Sequence, residues 1–404
     1  MPPNAARSVT LVLTTREGGE LLGSLPPFDV PLPWWQEVSG FVAGARSAYS
    51  VDVTVLRLLS TSRPFGEGGP VAYLAETSSP VSGLATWDGP DPLADEPLRL
   101  AYARPGGPDA DLVWAEAALT ARGSRLTAAA AQQRTWNLSS VWRLQTTEGT
   151  AWLKVVPPFL AHEGSMLRLI GAVHPDLVPP LWAEEGPRVL LGHVAGGDNY
   201  DAGPKLHLAM IRSLVPLQAE WAGRVHELLA LGGADWRAEA LVTDVRRLLD
   251  RTADQLDAAT LDVLRRFVDD LPGRLTAVAE CGVPDTLVHG DFHPGNTVGP
   301  APVILDWGDA GAGNAMLDRA ALTARVDATD RRALMAEWAR LWEEHVPGAD
   351  AARAADLLEP VAPVRQALVY RSFLDQIEPS ERVYHASDPA ERLRRVAAVY
   401  QERG

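Results

Sequence analysis

Apolar and polar positions alternate most clearly near the N-terminus. Residues 7–15 (RSVTLVLTT) and 51–59 (VDVTVLRLL) are rich in β-branched and aliphatic side chains, and residues 71–76 repeat the pattern after a GEGGP turn, which predicts three strands. Between the first two, the apolar spacing of PLPWWQEVSGFVAGARSAY suits a helix beginning after Pro33. A Pro-, Gly- and Asp-rich passage over 88–111 reads as a connection. Beyond it come a helix over 111–121, strands over 136–144 and 150–156 about a Thr147-Glu148-Gly149 turn, a helix over 162–173 and a strand over 188–191. From 205 onward the period is helical, over 206–231, 238–251, 257–280, 331–345, 351–374 and 389–402. One non-helical stretch, LVHGDFHPGNTVG and then ILDWGDAG, interrupts this run.

Composition narrows the class. With 404 residues, 46% of them hydrophobic and 22% charged, the chain is long enough for two or three globular domains. The element order divides it into an α+β region at 1–105, a small sheet with a helix at 106–194 and a helical region at 195–404. The formal charge of -15 and the lack of a Lys/Arg block speak against a nucleic-acid partner. An acidic surface serves solubility or attracts a cationic small molecule. Cys281 is the single cysteine, which excludes an internal disulfide and a cysteine metal cluster. The N-terminus has no basic segment leading into a long apolar one, and no apolar run approaches membrane-spanning length, so a cytoplasmic location and no membrane partner are expected. No GxGxxG, Walker-type, HExxH or paired-Cys pattern is present.

Within the interrupting stretch the spacing is H-x-D-x-x-x-x-N, from His289, Asp291 and Asn296, followed by an apolar strand and Asp306-Trp307-Gly308. This is the spacing of a kinase catalytic loop and metal-binding turn, where an Asp takes the proton of the acceptor hydroxyl while an Asn and a later Asp hold magnesium. Magnesium favours oxygen donors, so an amide oxygen, a carboxylate and phosphate oxygens suit it. Phosphoryl transfer also needs a cation on the nucleotide phosphates. Of the 37 basic residues just two are Lys, Lys154 and Lys205; Lys154 ends AWLK on a predicted strand, and Glu163 opens the helix that follows. Where Arg carries nearly all positive charge, a retained Lys points to a compact ammonium. Lys205 has no such context and reads as solvated.

HGDFHPGN followed by ILDWGDAG resembles the aminoglycoside phosphotransferase and small-molecule kinase family, with Gly290 where protein kinases carry Arg. The resemblance implies a two-lobed protein-kinase-like α+β fold, with a small mixed-sheet N-lobe, a mostly helical C-lobe and, outside the family core, an extra N-terminal α+β domain acting as a cap. It implies a kinase moving the γ-phosphate of ATP or GTP, with Mg2+, to a hydroxyl of a sugar, aminosugar or aminoglycoside-like molecule. Asp291 would then be catalytic, Asn296 and Asp306 metal ligands, and Lys154 with Glu163 the phosphate-binding pair. His289 and Asp318 would support the loop. The turn TWNLSS lacks glycine, so Ser139 and Ser140 are its candidate phosphate donors, and Gly192, His193 and Val194 would face the adenine. Asp309 lies near the metal or substrate, or is a turn Asp. The C-terminal carboxylates Asp375, Glu378 and Glu381 line a pocket for a cationic acceptor or form a solvated acidic loop. His293 faces substrate or is a hydrogen-bonded loop residue. An alternative to the enzyme is a catalytically silent, nucleotide-binding regulatory protein.

Overall fold

The computed structural model of the protein describes residues 6–61, 68–324 and 326–403; Gly66 and Glu67 of the expected GEGGP turn lie outside them. The chain forms two compact units. The first comprises Met1–Ala161, Leu181–His193 and Leu374–Ala386, the second His162–Pro180, Val194–Phe373 and Ser387–Gly404.

The first unit contains two sheets. In the N-terminal one, β1 (Arg7–Thr15) pairs with β2 (Leu21–Ser24) and β3 (Phe28–Val30), and lies parallel to β5 (Gly69–Thr77), which pairs with β4 (Thr54–Thr61). Val9, Leu11 and Leu13 of β1 face one side, where they pack with Phe41 of α1 (Ser39–Tyr49), Trp35 and Tyr73. The helix starts later than the apolar spacing suggests. Trp35 instead occupies the core from an irregular segment, its indole donating to Gly68 O at 3.0 Å.

Helix α2 (Gly107–Ala121) begins inside the expected connection, with Pro108 in its first turn, where a missing N–H costs nothing. The second sheet has the order β6 (Ala131–Trp136), β7 (Ser139–Thr146), β8 (Gly149–Val155), β10 (Arg188–Gly192), β9 (Leu181–Glu185). It is antiparallel throughout rather than mixed, because tight turns join β6 to β7, β7 to β8 and β9 to β10. The parallel pair sits in the N-terminal sheet instead.

The two sheets are joined by hydrogen bonds. Gln132 on β6 receives the Val55 N–H at 2.9 Å and donates back to Val55 O at 2.7 Å, and its side chain is buried. Val38 N donates to Gln133 O at 3.0 Å and Thr135 N to Gln36 O at 3.1 Å.

The second unit is mainly helical: α3 (Glu163–Gly171), α4 (Pro204–Glu220), α5 (Val225–Ala230), α6 (Ala238–Thr252), α7 (Ala258–Glu280), α8 (Arg319–Thr323), α9 (Ala328–His345), α10 (Ala351–Leu357), α11 (Val361–Gln376, whose end belongs to the first unit) and α12 (Asp388–Arg403). Helix α4 packs on α9, and α7 packs on α6, α10 and α12. The expected helix over 351–374 is two helices, divided at Pro360, whose ring and missing N–H disfavour a helix interior. The one over 206–231 breaks likewise around Gly223. Among the described residues no helix is long and apolar enough to cross a membrane.

Candidate functional site

The interrupting stretch forms a strand, loop and hairpin within the second unit. β12 (Asp285–Val288) delivers the loop 289–296; β13 (Thr297–Val298) and β14 (Val303–Ile304) form the hairpin, and β15 (Gly311–Asn314) returns to pair with β12. Thr297 opposes Ile304, and Leu305 N donates to Asn296 O at 2.8 Å. This register brings Asn296 beside the start of the Asp306 turn.

The loop is held from behind by buried polar groups. Asp318, fully buried, accepts the N–H of His289 (2.8 Å) and of Gly290 (2.8 Å), and a third bond from the Gln218 amide (2.9 Å). Burial pushes its carboxyl above the usual range, against the opposing pull of His289, Arg365 and these amides. His289 is also fully buried: its Nδ1 accepts the Asp291 N–H (3.2 Å), which assigns the proton to Nε2, the donor to Leu305 O (2.9 Å). Desolvation lowers its pKa, so it remains neutral and links the loop to the strand leading into Asp306. Its ring lies 4.6 Å from that of Trp307, also fully buried.

Gly290 has φ +94°, and a Cβ there would lie 2.3 Å from Asp309 O. No other residue fits without moving the backbone. Buried Arg365 donates to the Gly290 carbonyl and lies with its guanidinium 5.6 Å from the Trp236 ring centroid.

Asp291 emerges from this base with its side chain 43% exposed. Its Oδ2 accepts from Asn296 Nδ2 (3.1 Å) and lies 3.3 Å from His293 Nε2. Burial raises its pKa, but the His293 hydrogen bond and charge, with His289 and Arg365, outweigh that and hold it below the usual range. At neutral pH it is a carboxylate, able to accept a hydrogen bond from a hydroxyl. The His293 Nδ1 accepts Gly295 N–H at 3.0 Å, so the loop fixes the ring that faces Asp291.

Asp306 has φ 60° and ψ 63°, one of two non-glycine residues at positive φ among those described. Such backbone costs about 1–3 kcal/mol and is characteristic of functional turns. Asn296 and Asp306 offer oxygens, so the donor set fits magnesium, whose remaining positions phosphate oxygens and water would fill. His162, at the start of α3, lies beside the backbone of Gly308 and Ala310 in the same turn, and burial lowers its pKa against their pull.

A cavity of about 930 Å³ opens at Asp291 and His293. Its walls come from 200–202, the 293–295 loop, the 320–324 segment and helices α9, α11 and α12.

Other expected residues lie elsewhere. Lys154 is on β8 in the first unit, opposite Val141 and Val189, whereas Glu163, 2% exposed, opens α3 in the second. Ser139 and Ser140 are buried, and their hydroxyl oxygens accept the indole N–H of Trp136 (3.1 Å) and of Trp142 (3.1 Å), while each hydroxyl keeps its own proton to donate. Gly192 closes β10, the His193 N–H donates to Thr150 O at 3.1 Å, and Val194 begins the second unit's next segment. Asp309 closes the Asp306 turn against Gly290.

Asp375, Glu378 and Glu381 belong to the first unit, Asp291 to the second. Glu378 forms ion pairs with Arg57 (3.2 Å) and Arg99 (3.2 Å); Glu381 accepts the Leu58 N–H at 2.8 Å, and burial raises its pKa to about 8. Both are buried carboxylates with partners in the first unit rather than members of a solvated acidic loop: a local acidic cluster gives no sign of distant arginines. Arg365, Gln218 and His162 were not legible as site residues.

The profile of the phosphotransferase enzyme family matches residues 130–357, more than half of the chain. The chain belongs to this family. Residues 1–129 lie outside the match. No curated protein matches the chain. Solved structures do. A type I macrolide 2′-phosphotransferase is 15% identical, with TM-score 0.51 over 70% of this chain and 96% of its own. An ethanolamine kinase from Plasmodium vivax is 9% identical, with TM-score 0.50 over 68% and 83%. A macrolide 2′-phosphotransferase from Brachybacterium faecium is 16% identical, with TM-score 0.48 over 72% and 97%. At these identities the likeness to the first two, with TM-scores of 0.51 and 0.50, establishes the fold alone, which is protein-kinase-like. With the family, the coarse activity is that of a small-molecule phosphotransferase.

Proposed function

We propose that this phosphotransferase moves the γ-phosphoryl group of ATP to a hydroxyl of a small, sugar-like molecule. The observation that carries the reading is the Asp291 carboxylate: ionised, half exposed at the mouth of a cavity, and anchored on a fully buried Asp318–His289 base. Asp291 accepts the hydrogen bond of the acceptor hydroxyl and turns its oxygen toward the phosphorus. As the new O–P bond forms and the bond to the leaving ADP breaks, the hydroxyl proton passes to an Asp291 oxygen. His293, donating to the same carboxylate, keeps it deprotonated until then. Asn296 and Asp306 would hold magnesium, which neutralises charge on the phosphates. Lys154 would supply the cation for the nucleotide phosphates.

The test is ATP-dependent phosphorylation across a panel of hydroxyl compounds, with Asp291→Asn as control. The variant is expected to lose about 10²–10⁴-fold in kcat while retaining nucleotide affinity. Wild-type rates in the variant would remove Asp291 from this role. Nucleotide binding by the unmodified protein without turnover of any acceptor would favour a silent, regulatory member of the family.

A further inference from the structure

The charged groups on the wall of the Asp291 cavity are Asp201, Asp291, Glu359, Arg331, Arg392 and Arg395. A polycationic acceptor needs free carboxylates, and these are scarce. Glu359 is ion-paired with Arg319 behind the wall. Asp291 is engaged by Asn296 and His293 and, in the proposed reaction, by the acceptor hydroxyl. Asp201 is the remaining acid.

The guanidinium groups are less neutralised. Arg331, on α9, donates through Nη2 to the carbonyls of Thr323 (3.1 Å) and Val326 (3.3 Å), contacts that aim the group without cancelling its charge. Arg395, exposed on α12, has no carboxylate within salt-bridge reach among the described residues. Arg392 instead lies 5.7 Å from the Tyr370 ring centroid, a tyrosine on which Asp388 also acts. A proton-accepting carboxylate thus shares one cavity with two arginines drawn from different helices. Guanidinium forks match carboxylates and phosphates.

We propose that the acceptor carries an anionic group, a carboxylate or a phosphate, in addition to its hydroxyl, and that Arg331 and Arg395 bind it. This rests on the phosphotransferase reading for the role of the cavity, and reverses the cationic acceptor suggested by sequence. It replaces Glu378 and Glu381 with arginines as determinants of specificity.

The experiment is isothermal titration calorimetry of the full chain, without nucleotide, against gluconate, glucose 6-phosphate, glucose and glucosamine, with Arg331→Ala, Arg395→Ala and Asp201→Asn variants. Gluconate or glucose 6-phosphate should bind at least about tenfold more tightly than glucose or glucosamine. Which anion wins separates the carboxylate from the phosphate. Each arginine variant should lose about tenfold for the anion with little change for glucose, and Asp201→Asn should not weaken it. Tighter binding of glucosamine, anion affinity indifferent to both arginines, or no binding of either anion overturns the proposal. Calorimetry needs no turnover, so failure of phosphoryl transfer itself would appear separately, in the ATP assay.

Discussion

Replacing Asp318 by Asn tests whether the loop carrying Asp291 is held by a buried carboxylate. The oxygens of Asp318 serve three donors: Oδ2 takes His289 N–H and the Gln218 amide, and Oδ1 takes Gly290 N–H. An Asn side chain is nearly the same shape but turns one oxygen into a donor. Its less harmful orientation sets the new NH2 against Gly290 N–H, orphaning that backbone donor and leaving the buried NH2 facing another donor, at about 1–3 kcal/mol. The other orientation orphans two. Relief of the burial that raises the Asp318 pKa offsets part of this, so the expected net loss is about 1–3 kcal/mol. Urea unfolding should show a lower midpoint at unchanged slope, and the His289 and Gly290 amides should exchange faster with solvent. A displacement of about 1 Å at Asp291 should also lower kcat by roughly 10²-fold. An unchanged midpoint together with a protected Gly290 amide would show that Asp318 does not hold the loop.

Gly290→Ala would set a Cβ 2.3 Å from the Asp309 carbonyl at φ +94°, so backbone must move; a lowered melting temperature and activity are expected, and wild-type values for both would contradict the geometry. His293→Ala removes the donor that depresses the Asp291 pKa, so the acidic limb of the kcat/KM profile should shift to higher pH; a limb that stays in place would place Asp291's low pKa elsewhere. Glu381, at about 8 when folded against 4.5 ordinarily, binds its proton more tightly in the native state. The stability this contributes is complete below about pH 4.5 and is lost as pH rises through about 8. Glu381→Gln mimics the protonated acid, so wild type should lose stability relative to it between pH 5 and pH 9, a trend measured by urea midpoints at each pH.

What could be read from sequence depended on how far apart the interacting residues are. Within the loop the spacing itself encodes geometry: two residues separate the His289 ring from the Asp291 amide it accepts, and two separate His293 from the Gly295 amide. The family resemblance is what points to Asp318, and the hairpin and β15 return the chain to the loop within 29 residues. Arg365 reaches the Gly290 carbonyl from 75 residues away, and among the many arginines of this chain nothing local distinguishes it. Glu381 contacts the Leu58 amide across 323 residues, and its cluster beside Pro379 has the composition of a solvated helix end. Ser139 and Ser140 have neighbours that composition does not reveal: indole N–H groups two or three residues away donate to their oxygens. The same logic bears on residues outside the family match. Gln132, just inside it, completes a two-way hydrogen bond with Val55 as β4 does with its own neighbours, so the buried amide on β6 and the N-terminal sheet depend on each other for satisfied polar groups. Removing the N-terminal residues would leave Gln132 buried without partners or open to water, which makes that region part of the fold that carries Lys154.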